Sequence, residues 1–316
     1  MLSSKSVRRF ISCVCLALIS GGAPRILAAP PAAAPVFPVK VSSNGRYLVD
    51  QKGAPFFIHG DTAWSLMVQV TREDAEFYLE DRRQKGFNAI LLNLIEHGFA
   101  DNPPKNVYGK GPFTTPGDFS TPNEAYFAHV DWVLNQAAEK GILVLVSATY
   151  VGYDNVQGWG AEVVNNGPSK CRNYGRYLGN RYKNFKNVIW VAWGDRTPAP
   201  GSTLEKNSLE ILLGFRETAP AHLHTAHMNR THTAREVPAF NPYMDLDAVY
   251  SAFRPYVGCL RRYRASDPRP TFLWEAHYEG PWAKGWPVGT PSSQRRQAYW
   301  TMTSGATGHM YGNHAI

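Results

Sequence analysis

The sequence has little cysteine, and after its N-terminal segment it has no apolar run long enough to cross a bilayer. Four cysteines among 316 residues exclude a disulfide framework as the organising device. Cys13 and Cys15 fall in the N-terminal segment, which leaves Cys171 and Cys259 as two expected buried thiols. No Gly-rich phosphate turn follows the first strand-like segment, which argues against an open, doubly wound sheet. No GxSxG elbow is present, so a serine hydrolase is unsupported. Neither a Cys cluster nor an HExxH pattern joins the spaced pair His222 and His224, so no metal and no cofactor is expected. Charged residues make up 18%, and the cluster Arg261, Arg262, Arg264 reads as a solvated helix face, so no nucleic-acid partner is expected.

What is present describes a chain able to bury a large core, with 44% hydrophobic residues and length enough for one large α/β domain. Nine Trp and sixteen Tyr suit a cleft that stacks sugar rings, as well as a large core. At the N-terminus Lys5, Arg8 and Arg9 precede the apolar stretch FISCVCLALISGG, and small residues follow. That layout predicts a signal peptide over residues 1–29, a secreted or periplasmic protein, and no membrane association after cleavage. Loss of Lys5, Arg8, Arg9 and Arg25, with no acid among them, reduces the formal charge from +8 to about +4. Residues 30–40, rich in Pro and Ala, read as a linker, which leaves residues 41–316 for the folded domain.

Along that domain strand-like and helix-like segments alternate. A hairpin turning at Lys52-Gly53 feeds the strand Phe56–Gly60. Thr71 with Asp74 three residues on caps a helix that stops at Gly86, and the strand Asn88–Ile95 follows. Thr121, with Pro122 and Glu124, is the expected cap of the next helix, which leads to the strand Ile142–Ala148. Helices are expected at Cys171–Phe185, Thr203–Thr218 and Tyr256–Arg264, and from the cap Thr290 to Thr303. Strands are expected at Val188–Trp193, His222–His227, Leu246–Ala252, Thr271–Glu275 and Ala306–Gly312. Eight strands, several of them continuous apolar runs, predict a (β/α)₈ TIM barrel whose strands are covered on both faces. Because Ile316 follows the last strand so closely, the barrel is expected to lack its final helix and any C-terminal β module, as a C-terminally truncated domain would.

Two of these strands end on acids: VIWVAW runs into Asp195, and TFLW into Glu275. In a (β/α)₈ barrel the strand C-termini form the rim of the cleft, so both carboxylates are expected there, with Thr271, Leu273 and Glu275 on one strand face. The plainer alternative is a helix cap, or an ion pair with a neighbour such as Arg196. Two carboxylates across a cleft suit glycoside hydrolysis, one protonating the departing oxygen and the other attacking the anomeric carbon. Glu279, four residues past Glu275, is the competing acid and is expected to support sugar binding. His59, Asp61 and Trp64 after the first strand, Trp193 beside the acid, and His309 and Tyr311 at the eighth strand complete the expected binding set.

The segments YLVDQKGAPFFIHGDTAW, GFNAI, HVDWVLNQAAEKGI, VIWVAWGD, WEAHYEG and MYGNHAI together resemble the apiosidase-like glycoside hydrolases, from about Phe37 to the C-terminus. The resemblance implies a (β/α)₈ barrel and retaining chemistry, with Asp195 as general acid/base and Glu275 as nucleophile after strands four and seven. It also implies release of apiose-linked units from the pectic polysaccharide rhamnogalacturonan-II. Trp193-Gly194-Asp195 departs from the Gly-Gly-Asp more usual in the family, and the closing helix and C-terminal β module are not in this chain. An oligo- or polysaccharide is thus the expected partner. A carbohydrate-binding barrel without turnover is the alternative from another class.

Overall fold

The computed structural model describes residues 34–154, 157–230, 232–251, 254–280 and 288–313. The signal peptide expected over 1–29 lies outside them. The compact unit begins at Pro35 with three short antiparallel strands, β1 (Lys40–Val41), β2 (Leu48–Val49) and β3 (Pro55–Phe56). Asp50 organises this sheet, because its carboxylate accepts from the backbone N–H groups of Val36, Lys52 and Ala54. The Val36 bond, ahead of the other two, holds its carboxyl below the ordinary aspartate value. Val39 is buried, so order begins within the segment that composition reads as linker.

Eight parallel strands follow: β4 (Ile58–Thr62), β5 (Ala89–Asn93), β6 (Leu143–Ser147), β7 (Val188–Trp193), β8 (Leu223–His227), β9 (Asp247–Tyr250), β10 (Thr271–Glu275) and β11 (Gly308–Tyr311). Their order around the sheet is β8-β7-β6-β5-β4-β11-β10-β9. β8 and β9 lie side by side at a seam closed by single bonds rather than by strand pairing, among them Asp245 N–H to His224 O at 2.8 Å. The architecture is a nearly closed (β/α)₈ barrel.

The period-2 alternation of each strand builds two cores. Ile58, Leu91, Leu145, Ile189, Phe272, Trp274 and Met310 fill the barrel. Ile90, Leu92, Val146 and Trp190 face outward against the helices. Those helices are α1 (Leu66–Gln69), α2 (Arg72–Gln84), α3 (Glu124–Glu139), α4 (Gly160–Tyr182), α5 (Thr203–Thr218), α6 (Pro255–Tyr263) and α7 (Pro291–Thr303). Thr71 and Thr290 cap α2 and α7 as their sequences predict. The cap of α3 is instead Asn123; Thr121 belongs to the preceding turn, where its hydroxyl bonds Asp118 O. α4 begins eleven residues before the expected Cys171, because Gly167 (φ 70°) and Pro168 join two helical pieces across a kink. Cys171 and Cys259 are free, buried thiols.

Candidate active site

The C-terminal ends of the barrel strands surround a cleft of about 330 Å³ lined by Trp64, Phe99, Tyr150, Gln157, Asp195, His227, Tyr250, Glu275 and Tyr278, among others. Asp195 and Glu275 arrive there from β7 and β10. After β7 the backbone turns sharply: Trp193 has φ 69°, and a Cβ on Gly194 would stand 2.7 Å from the Tyr150 ring. Only glycine passes there, and the turn presents Asp195 to the cleft.

Simple alternation does not explain Glu275. Leu273 lies opposite Val249 and packs with Cys259 in the helix layer, so a regular strand would send Glu275 the same way. The register shifts between Leu273 and Glu275, and Glu275 pairs with Tyr250. This irregularity turns the carboxylate inward. The expected shared face of Thr271, Leu273 and Glu275 is therefore corrected by a local break in the strand.

His227, on β8, stands between the two acids. Its Nε2 lies 3.5 Å from Glu275 Oε2 and 3.9 Å from Asp195 Oδ1. Those spans meet at one nitrogen, so the two oxygens are separated by at most their sum, about 7.4 Å. Glu275 is the drier acid, with a side chain 9% exposed against 23% for Asp195. Burial pushes both carboxyls up, Asp195 to about 6 and Glu275 to about 8, the latter helped by repulsion from Asp195. The Arg230 charge draws both back down, and the Tyr278 and Tyr250 hydroxyls bond Glu275 and do the same. Near neutral pH the pair holds one proton. Burial also pushes His227 down to about 3, so its imidazole is neutral.

The aromatic residues form a connected wall. Trp64 donates its Nε1–H to the Tyr278 hydroxyl at 2.9 Å and stacks on His227 with ring centroids 6.0 Å apart. His227 also touches Tyr150, Tyr250 and Trp274.

Of the expected binding residues, Trp64 lines this cleft and the others do not. His59 and His309 lie opposite each other on β4 and β11, ring centroids 5.3 Å apart. Their neighbours Ile58 and Met310 point into the barrel, so both histidines face the outer side, where they line a separate recess with Phe87. Trp193 is buried behind the turn against Phe240. Asp61 accepts from the Tyr78 hydroxyl at 2.8 Å and pairs with Arg82 at 3.2 Å, anchoring α2. Asp61 and Tyr311 line a neighbouring cavity, and Glu279 accepts from the Tyr311 hydroxyl. His222 accepts from the Trp190 indole at 2.8 Å. Sequence pattern does not single out Tyr150, Tyr250 and Tyr278 for the cleft, nor His227, which it places only at the end of a strand.

A nearly closed barrel of eight parallel strands, with one acid just after its fourth strand and another ending its seventh, has the architecture of glycoside hydrolases. Residues 42–316 match the family model described as Apiosidase-like, catalytic domain, and the chain belongs to that family. The fold is similar to a solved glycoside hydrolase (TM-score 0.74, 24% identity, 87% of this chain and 65% of that one). It is also similar to a glycoside hydrolase family 5 protein from Bacteroides vulgatus (0.74, 23%, 87% and 62%). An endo-1,4-beta-mannanase from Rhizomucor miehei shares the fold at 0.62 and 13% identity, over 86% of this chain and 89% of that one. This chain thus spans less than two thirds of the first two structures. No curated protein matches the sequence.

Proposed function

We propose that this chain is the catalytic barrel of an exported glycoside hydrolase that releases apiose-linked units from a plant cell-wall pectic polysaccharide, by a two-carboxylate retaining mechanism. The observation that carries this reading is the meeting of Asp195 and Glu275 around His227 in an aromatic-lined cleft. The family supports the sugar class, and the N-terminal layout of charged, apolar and small residues supports export, to a secreted or periplasmic location.

In this mechanism the ionised Glu275 attacks the anomeric carbon while Asp195 gives its proton to the departing oxygen. Asp195 then takes a proton from the water that releases the sugar. The order of the two pKa values is the reverse of these roles, with Glu275 the higher. The two tyrosine hydroxyls on Glu275 support the assignment, since hydrogen bonds to a carboxylate stabilise its charged form. Substrate entry must then move the shared proton to Asp195. The 7.4 Å limit admits the roughly 5–5.5 Å separation of a retaining pair as well as the lower end of the roughly 6.5–9.5 Å inverting range, so the retaining assignment rests on the family resemblance.

The test is digestion of rhamnogalacturonan-II with product analysis by proton NMR. Release of apiose-containing fragments whose first-formed anomer keeps the substrate configuration is expected. An inverted anomer sinks the retaining assignment, and tight binding without turnover replaces the enzyme by a carbohydrate-binding barrel.

A further inference from the structure

His227 has no role in the two-carboxylate scheme, yet it lines the cleft within 4 Å of both acids. Its side chain is 2% exposed, and neither ring nitrogen has a hydrogen-bond partner among the described residues. Buried polar groups are ordinarily bonded, so two uncommitted nitrogens on one ring need an explanation. Packing fixes the ring instead. Trp64 and Tyr150 lie on it at interplanar angles of 18° and 29°, and Trp274 and Tyr250 close its remaining sides at centroid distances of 5.1 and 5.6 Å. The charged and titratable groups around it are Asp195 after β7, Glu275 on β10, Arg230 after β8, and the Tyr150 and Tyr250 hydroxyls. A neutral imidazole carries one donor and one acceptor, and a committed partner on one nitrogen normally decides which is which. Here the carboxyls decide.

We infer that His227 is a positioning residue for the pair, its Nε2–H donated to whichever of Glu275 and Asp195 carries the negative charge as the reaction proceeds. This rests on the proposed catalytic pair. In the first half-reaction a bond forms between Glu275 and the anomeric carbon as the glycosidic bond breaks, and the Asp195 proton goes to the leaving oxygen. Negative charge passes from Glu275 to Asp195. Nε2 stands 3.5 Å from one and 3.9 Å from the other, so a small rotation of either carboxyl brings it within bonding reach while the imidazole stays still.

The experiment is a carbon-13 NMR titration of the ligand-free protein carrying carboxyl-labelled Asp and Glu, in wild type, His227→Phe, His227→Asn and His227→Gln. Gln places an amide near the Nε2 position and Asn does not reach it. Loss of the donor in the Phe and Asn variants is expected to raise the titration of the Asp195–Glu275 pair by about half a pH unit or more. Gln is expected to return it toward wild type. If the Phe variant fails to fold, the Asn variant carries the same comparison. An unchanged titration in the folded donorless variant overturns the inference. Hydrolysis of rhamnogalacturonan-II by Asp195→Ala and Glu275→Ala separates the two ideas. Activity persisting in both sinks the pair and this inference with it. Loss in both, with an unchanged titration and unchanged hydrolysis in the donorless variant, sinks the inference alone.

Discussion

Leu273 and Glu275 sit two residues apart on one strand, yet Leu273 packs into the helix layer and Glu275 opens into the cleft. The register shift between them is what makes an acid of a residue that alternation would have sent to the outer core. Glu275→Ala and Asp195→Ala are expected to lower the proposed hydrolysis of rhamnogalacturonan-II by about a thousandfold or more, the scale of removing a nucleophile or a general acid. Both proteins should still melt cooperatively. Near wild-type turnover in either rules that residue out.

Activity should follow the single shared proton. With Asp195 near 6 and Glu275 near 8, kcat/KM is expected to rise through about pH 6 and fall through about pH 8. A rate profile flat from pH 5 to 9 contradicts a coupled buried pair.

The same shifts predict a stability trend of defined sign. Folded Glu275 binds its proton more tightly than unfolded Glu275, so its contribution is present below about pH 4.5 and is lost as pH rises through about 8. Glu275→Gln, which cannot ionise, is therefore expected to be more stable than wild type at pH 8, by about 2 kcal/mol after allowance for relaxation around the buried group. The gap should narrow to a few tenths of a kcal/mol, roughly, by pH 5. Thermal melts at the two pH values check this, and a variant less stable than wild type at pH 8 refutes it.

Trp193 occupies a left-handed backbone position, φ 69°, suited to glycine. Its indole is buried against Phe240, and burying so large a ring is worth more than the roughly 1–2 kcal/mol of backbone strain. Trp193→Gly should be destabilised, yet less so than Trp193→Ala by about 1 kcal/mol, the reverse of the usual Gly–Ala order. Chemical denaturation of the two variants decides it.

Asp61 tests the boundary of the site. Since its carboxylate serves Tyr78 and Arg82 rather than the cleft, Asp61→Ala should cost about 1–2 kcal/mol by taking the acceptor from the Tyr78 hydroxyl, while Arg82 keeps Asp81 at 3.4 Å. Turnover per folded molecule should stay within about threefold of wild type. A large fall in kcat with unchanged stability would return Asp61 to the sugar.

The order of elements was legible in sequence because continuous apolar runs and capped helices carry their own periodicity, as Thr71 and Thr290 demonstrate. Asn123 was hidden by Thr121-Pro122, a pattern that here serves a turn. The start of α4 was hidden by the Gly167-Pro168 kink, which reads as a helix break. In the cleft the two acids stood out against apolar strands. Tyr150, Tyr250 and Tyr278 did not, since each is one tyrosine among sixteen until the barrel closes them around Glu275. His59 and His309 stand near strand ends and so read as rim residues, whereas the strand period sends both outward.

The seam between β8 and β9 divides the cleft: Asp195 and His227 belong to one side, Tyr250 and Glu275 to the other. Its bonds cluster low, around His224 and Leu246, while the mouth is held by ring contacts such as His227 on Tyr250. Among the described residues strand pairing is missing along that one line of the wall, and the line runs between the two acids. Any gape of the barrel along it changes the distance on which the chemistry depends. A sugar touching both carboxyls is expected to act as a staple across the gap, slowing amide exchange along the upper ends of β8 and β9 more than elsewhere in the barrel.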